Sequence, residues 1–331
     1  MSDYNANIDI SIIVPFYNVA RDLFLFCINS IIEQTFKNYE VIIVNDGSSN
    51  DCLEFLREIQ KKDRRIKLFN QINQGVSVAR NNALSMASGE TICFVDADDY
   101  VAPWMLEDLW NVYREKAVDA VASCYSLTID SSFNFERNLT VNIYSNNKMK
   151  ELSLIGMNCS PTKNGYISAG PVAVLFKKSI AKDIAFPTGI KYMEDVIWNY
   201  RYYEKCKDIA IIEECVYAYR QNPNSATHTY KLSVIEDRAK SLAEIRKLIP
   251  ESDENYALRV LANYSICCKC IMQTNELESL PDRIKKINEL SSDSCWKSFK
   301  IRGIDKHWPK KYRIKRFMAM LGILPFLYLK K

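Results

Sequence analysis

Two aspartates one residue apart, Asp96 and Asp98, follow the apolar run Thr91-Ile92-Cys93-Phe94-Val95. Carboxylates so placed suit a divalent cation that bridges two phosphate oxygens. Both are hard oxygen ligands, and Mg²⁺ or Mn²⁺ is commonly held by few protein groups plus substrate phosphates. The same pair can instead cap a turn and the helix after it. Two further polar clusters end apolar runs in the same way. Tyr17-Asn18 follows Ile10-Ser11-Ile12-Ile13-Val14-Pro15-Phe16, and Asp46 follows Val41-Ile42-Ile43-Val44-Asn45.

The elements that must position these residues can be read from apolar periodicity. Short apolar runs at 10–14, 40–44, 66–69 and 91–95 predict buried strands. Helical patterns lie between them at 21–34, 51–62, 75–88 and 103–116. Gly89 marks a helix stop, and Pro103 stands where a helix accepts proline. Strands alternating with helices predict a mostly parallel sheet covered on both faces, an α/β fold. Ligands in such sheets bind beyond the carboxyl ends of the strands. Tyr17-Asn18, Asp46 and Asp96–Asp98 all fall at such ends, so they are expected on one rim. Strand-like runs follow at 118–123, 172–176 and 209–212, with a helix starting at 194. From 231 onward the pattern is helical, at 231–248, 254–272 and 281–290. This places a boundary near 228, with a helical region expected in 229–331.

With these pieces in order, the chain resembles a family-2 glycosyltransferase of the GT-A fold, a Rossmann-like scaffold. The pieces are Ser11-Ile12-Ile13-Val14-Pro15-Phe16-Tyr17-Asn18, Val44-Asn45-Asp46-Gly47-Ser48-Ser49-Asn50-Asp51, Asn73-Gln74-Gly75 with Ala79-Arg80-Asn81, Phe94-Val95-Asp96-Ala97-Asp98-Asp99, and Met193-Glu194-Asp195. They span about the first 225 residues. The resemblance implies inverting transfer from a UDP-sugar, with Mn²⁺ or Mg²⁺, nucleotide-sugar binding in 1–117 and the acceptor side in 118–228. It implies that Pro15, Phe16 and Tyr17 pack on the nucleotide and that Asp46 accepts a hydrogen bond from the base. Gly75 and Arg80 would lie near the nucleotide and diphosphate. Asp96, with Ala97, would hold the ribose or metal shell, and Asp98 the metal itself. Asp195 matches the catalytic base, with Glu194 beside it; the bland alternative is acidic residues favouring a helix N-terminus. Arg220, in a segment that closes over the diphosphate in similar enzymes, has the fork geometry for phosphate. His228 is a candidate metal or phosphate contact or an exposed loop residue. Trp198, one helical turn beyond Asp195, is a candidate for stacking on the acceptor sugar, although aromatics more often serve the core.

Composition narrows the classes. A net charge of +4 over 331 residues does not argue for nucleic acid. Eleven cysteines at irregular spacing, without a zinc pattern or a recognisable signal peptide, read as reduced packing residues in a cytoplasmic protein. Basic charge gathers at the C-terminus. After Asp305 come Lys306, Lys310, Lys311, Arg313, Lys315 and Arg316, then an apolar run from 317 to 329, too short to span a bilayer as a straight helix. The tail, 306–331, is expected either to lie on an anionic membrane at the inner face or to dock on the protein itself or a second copy. By analogy with membrane-docked enzymes, the acceptor is expected to be a polyprenyl-diphosphate-linked glycan of a bacterial capsule, O-antigen or exopolysaccharide. Two other readings compete. A nucleotidyltransferase would carry a glycine-rich phosphate loop near the N-terminus, yet no glycine precedes Gly47. A non-catalytic nucleotide-binding scaffold would not need Asp96, Asp98 and Asp195 together. A dinucleotide-binding dehydrogenase lacks its glycine fingerprint here.

Overall fold

A computed structural model describes residues 7–130, 133–155, 165–221 and 230–329. The chain divides into two compact units, Met1–Thr188 with Trp198–Gln221, and Gly189–Ile197 with Asn222–Lys331.

The first unit opens with the alternation read from the sequence: β1 (Ile10–Phe16), α1 (Arg21–Ile32), β2 (Tyr39–Asp46), α2 (Asn50–Lys62), β3 (Ile66–Gln71), α3 (Val76–Met86) and β4 (Thr91–Phe94). It continues through β5 (Tyr100–Val101), α4 (Met105–Lys116), β6 (Ala120–Thr128), β7 (Val141–Ser145), α5 (Asn146–Ile155), β8 (Tyr166–Ile167), β9 (Val174–Lys177), α6 (Lys178–Ala181), α7 (Glu194–Lys205), which belongs to this unit from Trp198 onward, and β10 (Asp208–Arg220). One sheet runs β3-β2-β1-β4-β9-β6-β10-β5, with β7 against β10 and β8 against β6. β3, β2, β1 and β4 are mutually parallel. Every residue of β2 is buried, as expected of a strand covered on both faces. β9 enters between β4 and β6 antiparallel to both, while β6 and β10 pair parallel. The sheet is thus mixed, with a parallel half that carries the predicted rim. α1, α2 and α4 contribute Phe24, Phe55 and Leu109 to the core on one face; α3 contributes Ala79 and Ala83 to the core on the other.

The second unit holds α8 (Ser233–Arg246), α9 (Glu254–Gln273), α10 (Leu280–Ser292) and α11 (Lys310–Met320). α9 is its central helix. Cys267, Cys268 and Cys270 on it are buried thiols, and burial raises the pKa of each. Part of the tail packs within the unit. Trp308 is buried and donates from Nε1 to the Glu254 carbonyl (3.1 Å). Tyr312, Ala319 and Leu324 are buried too. Arg316 pairs with Asp305 at 3.3 Å, so this cation is engaged within the unit. Phe317, Met320, Leu321, Phe326 and Leu327 are instead exposed, by 46% to 61%. Among the described residues no helix is long and apolar enough to cross a membrane.

Candidate active site

Register assembles the rim. β1 lies between β2 and β4, pairing Phe16 with Asn45 and Ile13 with Phe94. The amide of Val95 donates to the Ile13 carbonyl (3.0 Å), one residue before Asp96. Tyr17, Asp46 and Asp96 therefore leave three neighbouring strands at the same edge.

Asp46 is buried, and its carboxylate organises the loop into α3. Oδ1 accepts from Gln71 Nε2 (2.7 Å) and from the amide of Gln74 (2.8 Å); Oδ2 accepts from the amide of Gly75 (2.9 Å). It does not cap α2. The turn after it is closed by Asn45, whose Oδ1 accepts from the Ser48 amide, and by Asn18, which exchanges hydrogen bonds with Ser48 and Ser49. Gly47 allows this approach. Its φ is 72°, and a Cβ there would meet the Asn73 nitrogen at 2.5 Å.

The second half of the rim is a charged web. Arg80 on α3 is buried and donates from Nη2 to Asp96 Oδ1 (3.0 Å), with its guanidinium 5.3 Å from the Phe186 ring centre. Tyr217 on β10 ties the acidic turn to the far half of the sheet. Its hydroxyl accepts from the Asp96 amide (3.1 Å) and donates to Asp99 Oδ2 (2.7 Å). Asp99 Oδ1 accepts from the Arg220 amide (2.7 Å), and Arg220 Nε donates to the Asp98 carbonyl (2.9 Å). Arg220 is thus a brace of the acidic turn, seated beside the rings of Tyr100 and Phe26.

Burial, then the charges of Asp96 and Asp98, holds the Asp99 carboxyl well above the usual range. Burial and the Asp96 charge also push the Asp98 carboxyl up, against the opposing effect of Arg220. The Cys27 thiol, which donates to the Asp96 carbonyl (3.5 Å), is raised by burial and by the same three carboxylates. Asp96 and Asp98 place hard oxygen donors in one partly desolvated turn, and that donor chemistry fits a divalent cation. Among the described residues no three His, Cys, Asp or Glu side chains form a metal-holding group by themselves.

Two sequence expectations are overturned. Phe16 does not pack on a nucleotide: it is 1% exposed and meets Phe24 edge-on at 4.8 Å. Strand alternation turns it into the core, leaving Pro15 half-buried and Tyr17 exposed on the rim. Trp198 does not face an acceptor. It is fully buried, stacked on Phe186 at 4.8 Å, packed against Phe94, Phe176 and Tyr202, and donates to the Ile184 carbonyl (2.9 Å). His228 lies outside the described residues. The sequence alone assigns no role to Tyr217, Asp99 or Cys27. The signal available for Asp99 was its place inside the acidic turn; β10 carried none that linked Tyr217 to a turn 121 residues earlier.

Glu194 and Asp195 fall in the second unit, within Gly189–Ile197. They form the first turn of α7, and Asp195 Oδ1 accepts from the Val196 amide (2.7 Å).

The family model for glycosyl transferase family 2 matches residues 11–179, just over half of the chain. This chain belongs to glycosyl transferase family 2. The glycosyltransferase GlyG of Streptococcus pneumoniae is 30% identical over 222 residues, 66% of this chain and 73% of that protein. Among solved structures, S. aureus TarS residues 1–349 in complex with UDP-GlcNAc aligns with a TM-score of 0.63 at 19% identity, covering 97% of this chain and 89% of that one. A mannosyltransferase from Pyrobaculum calidifontis, in complex with GDP-Man and Mn²⁺, aligns at 0.54 and 16% identity, over 98% and 90%. At these identities the structural likeness establishes the GT-A fold of the glycosyltransferase.

Proposed function

We propose that this glycosyltransferase moves a sugar from a UDP-sugar to a hydroxyl of a glycan acceptor with inversion at the anomeric carbon. One observation carries the reading: the Asp46 loop, the Arg80–Asp96 pair and the Asp98–Asp99 turn stand at the ends of neighbouring strands. The exposed face of Tyr17, the Asp46 loop and Gly75 form the nucleotide end. Arg80 and Arg220 keep positive charge near the diphosphate while fixing the acidic turn. Asp98, with Asp96, would hold Mn²⁺ or Mg²⁺, which stabilises negative charge growing on the departing diphosphate. Asp195 takes the proton of the acceptor hydroxyl as that oxygen attacks from the face opposite the nucleotide, and Glu194 orients it. Transition-state character follows the oxocarbenium pattern of glycoside chemistry.

UDP recognition is supported by TarS, solved with UDP and with UDP-GlcNAc, and surface-polymer synthesis by a relative named poly(ribitol-phosphate) beta-glucosyltransferase. The acceptor is a cell-surface glycan, carried on a lipid. The tail supports that step. Lys306, Lys310, Lys311 and Arg313 are exposed in the same segment as the apolar side chains of α11 and the turn after it, a combination suited to an anionic bilayer at the inner face of the membrane.

The test is Asp195→Asn. UDP should bind with metal as in the wild type, while sugar transfer falls by about a thousandfold, within the range of general-base catalysis. Wild-type turnover by Asp195→Asn sinks the mechanism, and retained anomeric configuration in the product sinks inversion. For the tail, full-length protein should float with phosphatidylglycerol vesicles and a chain ending at Asp305 should not. If both stay unbound, the membrane step fails.

A further inference from the structure

Met193, immediately before Glu194-Asp195, has φ of 62°. A side chain with a Cβ enters this left-handed region at a cost, and methionine has no polar group with which to offset it locally. The conformation nevertheless starts a helix, because the Met193 carbonyl accepts the first helical bond from Ile197 (3.1 Å). Something outside the segment must impose it.

α8 and α9 supply that constraint. Ser241, fully buried on α8, donates to the Tyr192 carbonyl (2.6 Å) and shares its proton with the Asp237 carbonyl (2.9 Å). Arg238, one turn earlier, lays its guanidinium 4.5 Å from the Tyr192 ring centre and donates from Nη1 to Asn263 Oδ1. Asn263 on α9 returns Nδ2 to Met193 Sδ (3.4 Å) and to the Arg259 carbonyl (2.9 Å). Arg238 and Asn263 are 8% and 2% exposed, too buried for a solvent-facing purpose. A buried guanidinium aligned on one ring and one amide is costly to keep unless its placement matters.

We propose that Ser241, Arg238 and Asn263 are positioning residues that hold Tyr192–Met193 in the conformation that launches α7, and so aim Asp195 at the acceptor hydroxyl. The inference rests on the reading of Asp195 as the base. It gives the C-terminal helices a part in catalysis although no catalytic group lies on them.

The experiment uses the full chain, with UDP release followed from a panel of UDP-glucose, UDP-galactose and UDP-N-acetylglucosamine, and amide hydrogen exchange as a readout independent of substrate. Ser241→Ala suits a helix interior and should leave α8 folded. Ser241→Ala and Arg238→Lys should each speed exchange at the amides of 193–197 by about tenfold, with β1, β2 and β4 unaffected. Both should lower kcat by about ten- to a hundredfold, the scale of a small misplacement of a catalytic group, with the donor KM within about twofold. Ser241→Thr, which keeps the hydroxyl, should recover most of the loss. Ser241→Ala in an Asp195→Asn background should cost nothing further. Unchanged exchange in 193–197, or a full additional loss in the double variant, overturns the proposal. Asp195→Asn at the wild-type rate removes the base reading and the aiming with it, and in that case altered exchange shows the clamp to be structural only.

Discussion

Asp98→Asn should make the free protein more stable and the liganded protein less so. The substitution keeps shape and removes one charge. In the free protein that charge is unfavourable, since burial and Asp96 raise the Asp98 pKa and Arg220 only partly opposes them. A raised folded pKa in an acid means that stability falls as pH rises through it, so at pH 7 the ionised Asp98 opposes folding. Two like charges within roughly 7 Å, at an effective dielectric of about 20, repel by about 2 kcal/mol. Partial solvent screening reduces this, and we expect Asp98→Asn to gain about 1 kcal/mol in urea unfolding at pH 7 with EDTA. With Mn²⁺ and UDP the order should reverse. Free ligand at a hundred times its Kd adds about 2.7 kcal/mol to the protein that binds it and nothing to one that does not. The assay is paired denaturation, with and without ligands, alongside calorimetric UDP titration. If Asp98→Asn is less stable than wild type without ligand, or gains as much from Mn²⁺ and UDP, then Asp98 is a structural residue and the metal assignment is wrong.

Neighbouring substitutions should separate brace from ligand. Asp99→Asn lacks one of the two acceptors used by the Tyr217 hydroxyl and the Arg220 amide, leaving a buried donor unpaired. That loss, about 1 to 2 kcal/mol, opposes the relief of a charge disfavoured by burial and by Asp96 and Asp98, so Asp99→Asn should gain less than Asp98→Asn, read in the same urea series. Arg80→Met strands Asp96 beside Asp98. Unfolding free energy should drop by about 3 kcal/mol, and metal-dependent UDP binding should weaken about tenfold by calorimetry. Trp198→Ala removes a fully buried indole and orphans the Ile184 carbonyl, for a loss of about 4 kcal/mol, whereas Trp198→Phe keeps a ring and should lose about half. If Trp198→Phe folds as wild type yet loses transfer, the tryptophan touches substrate after all. Glu214→Gln tests a buried carboxylate: burial, with the Asp108 charge, raises the Glu214 pKa against the hydrogen bond from Trp104, so the variant should melt higher at pH 7 and converge with wild type as pH falls toward the acid range.

The parallel half of the sheet was legible because its signals are local. Each strand from β1 to β4 is a short apolar run closed by a polar turn, and the rim follows once those strands are parallel and in register. β9 shows where that logic stops. Val172 to Phe176 is uniformly apolar, which marks a buried strand but carries no information on direction, and the run inserts antiparallel between β4 and β6. β7 and α5 have mixed burial and weak periodicity, so the sequence carries no clear signal for either.

Phe16 and Trp198 mark a second limit, between motif and orientation. A family motif locates a backbone segment at a site but leaves open which way each side chain points. On β1 the two-residue period decides, and it turns Phe16 inward beside Phe24 and Tyr17 out. On α7 the 3.6-residue period places Trp198 in line with Tyr202, and both fall in the aromatic core with Phe176 and Phe186. A stacking residue one turn after Asp195 would have to leave that core stripe. The acidic turn depends on longer reach still: Asp96, Asp98 and Asp99 are sequence neighbours, but Tyr217 and Arg220 on β10 hold their geometry. Three carboxylates in four residues would repel into disorder without such donors. Those distant braces keep the turn folded and leave the Asp98 carboxyl short of positive charge, the condition a cation-bound diphosphate would relieve.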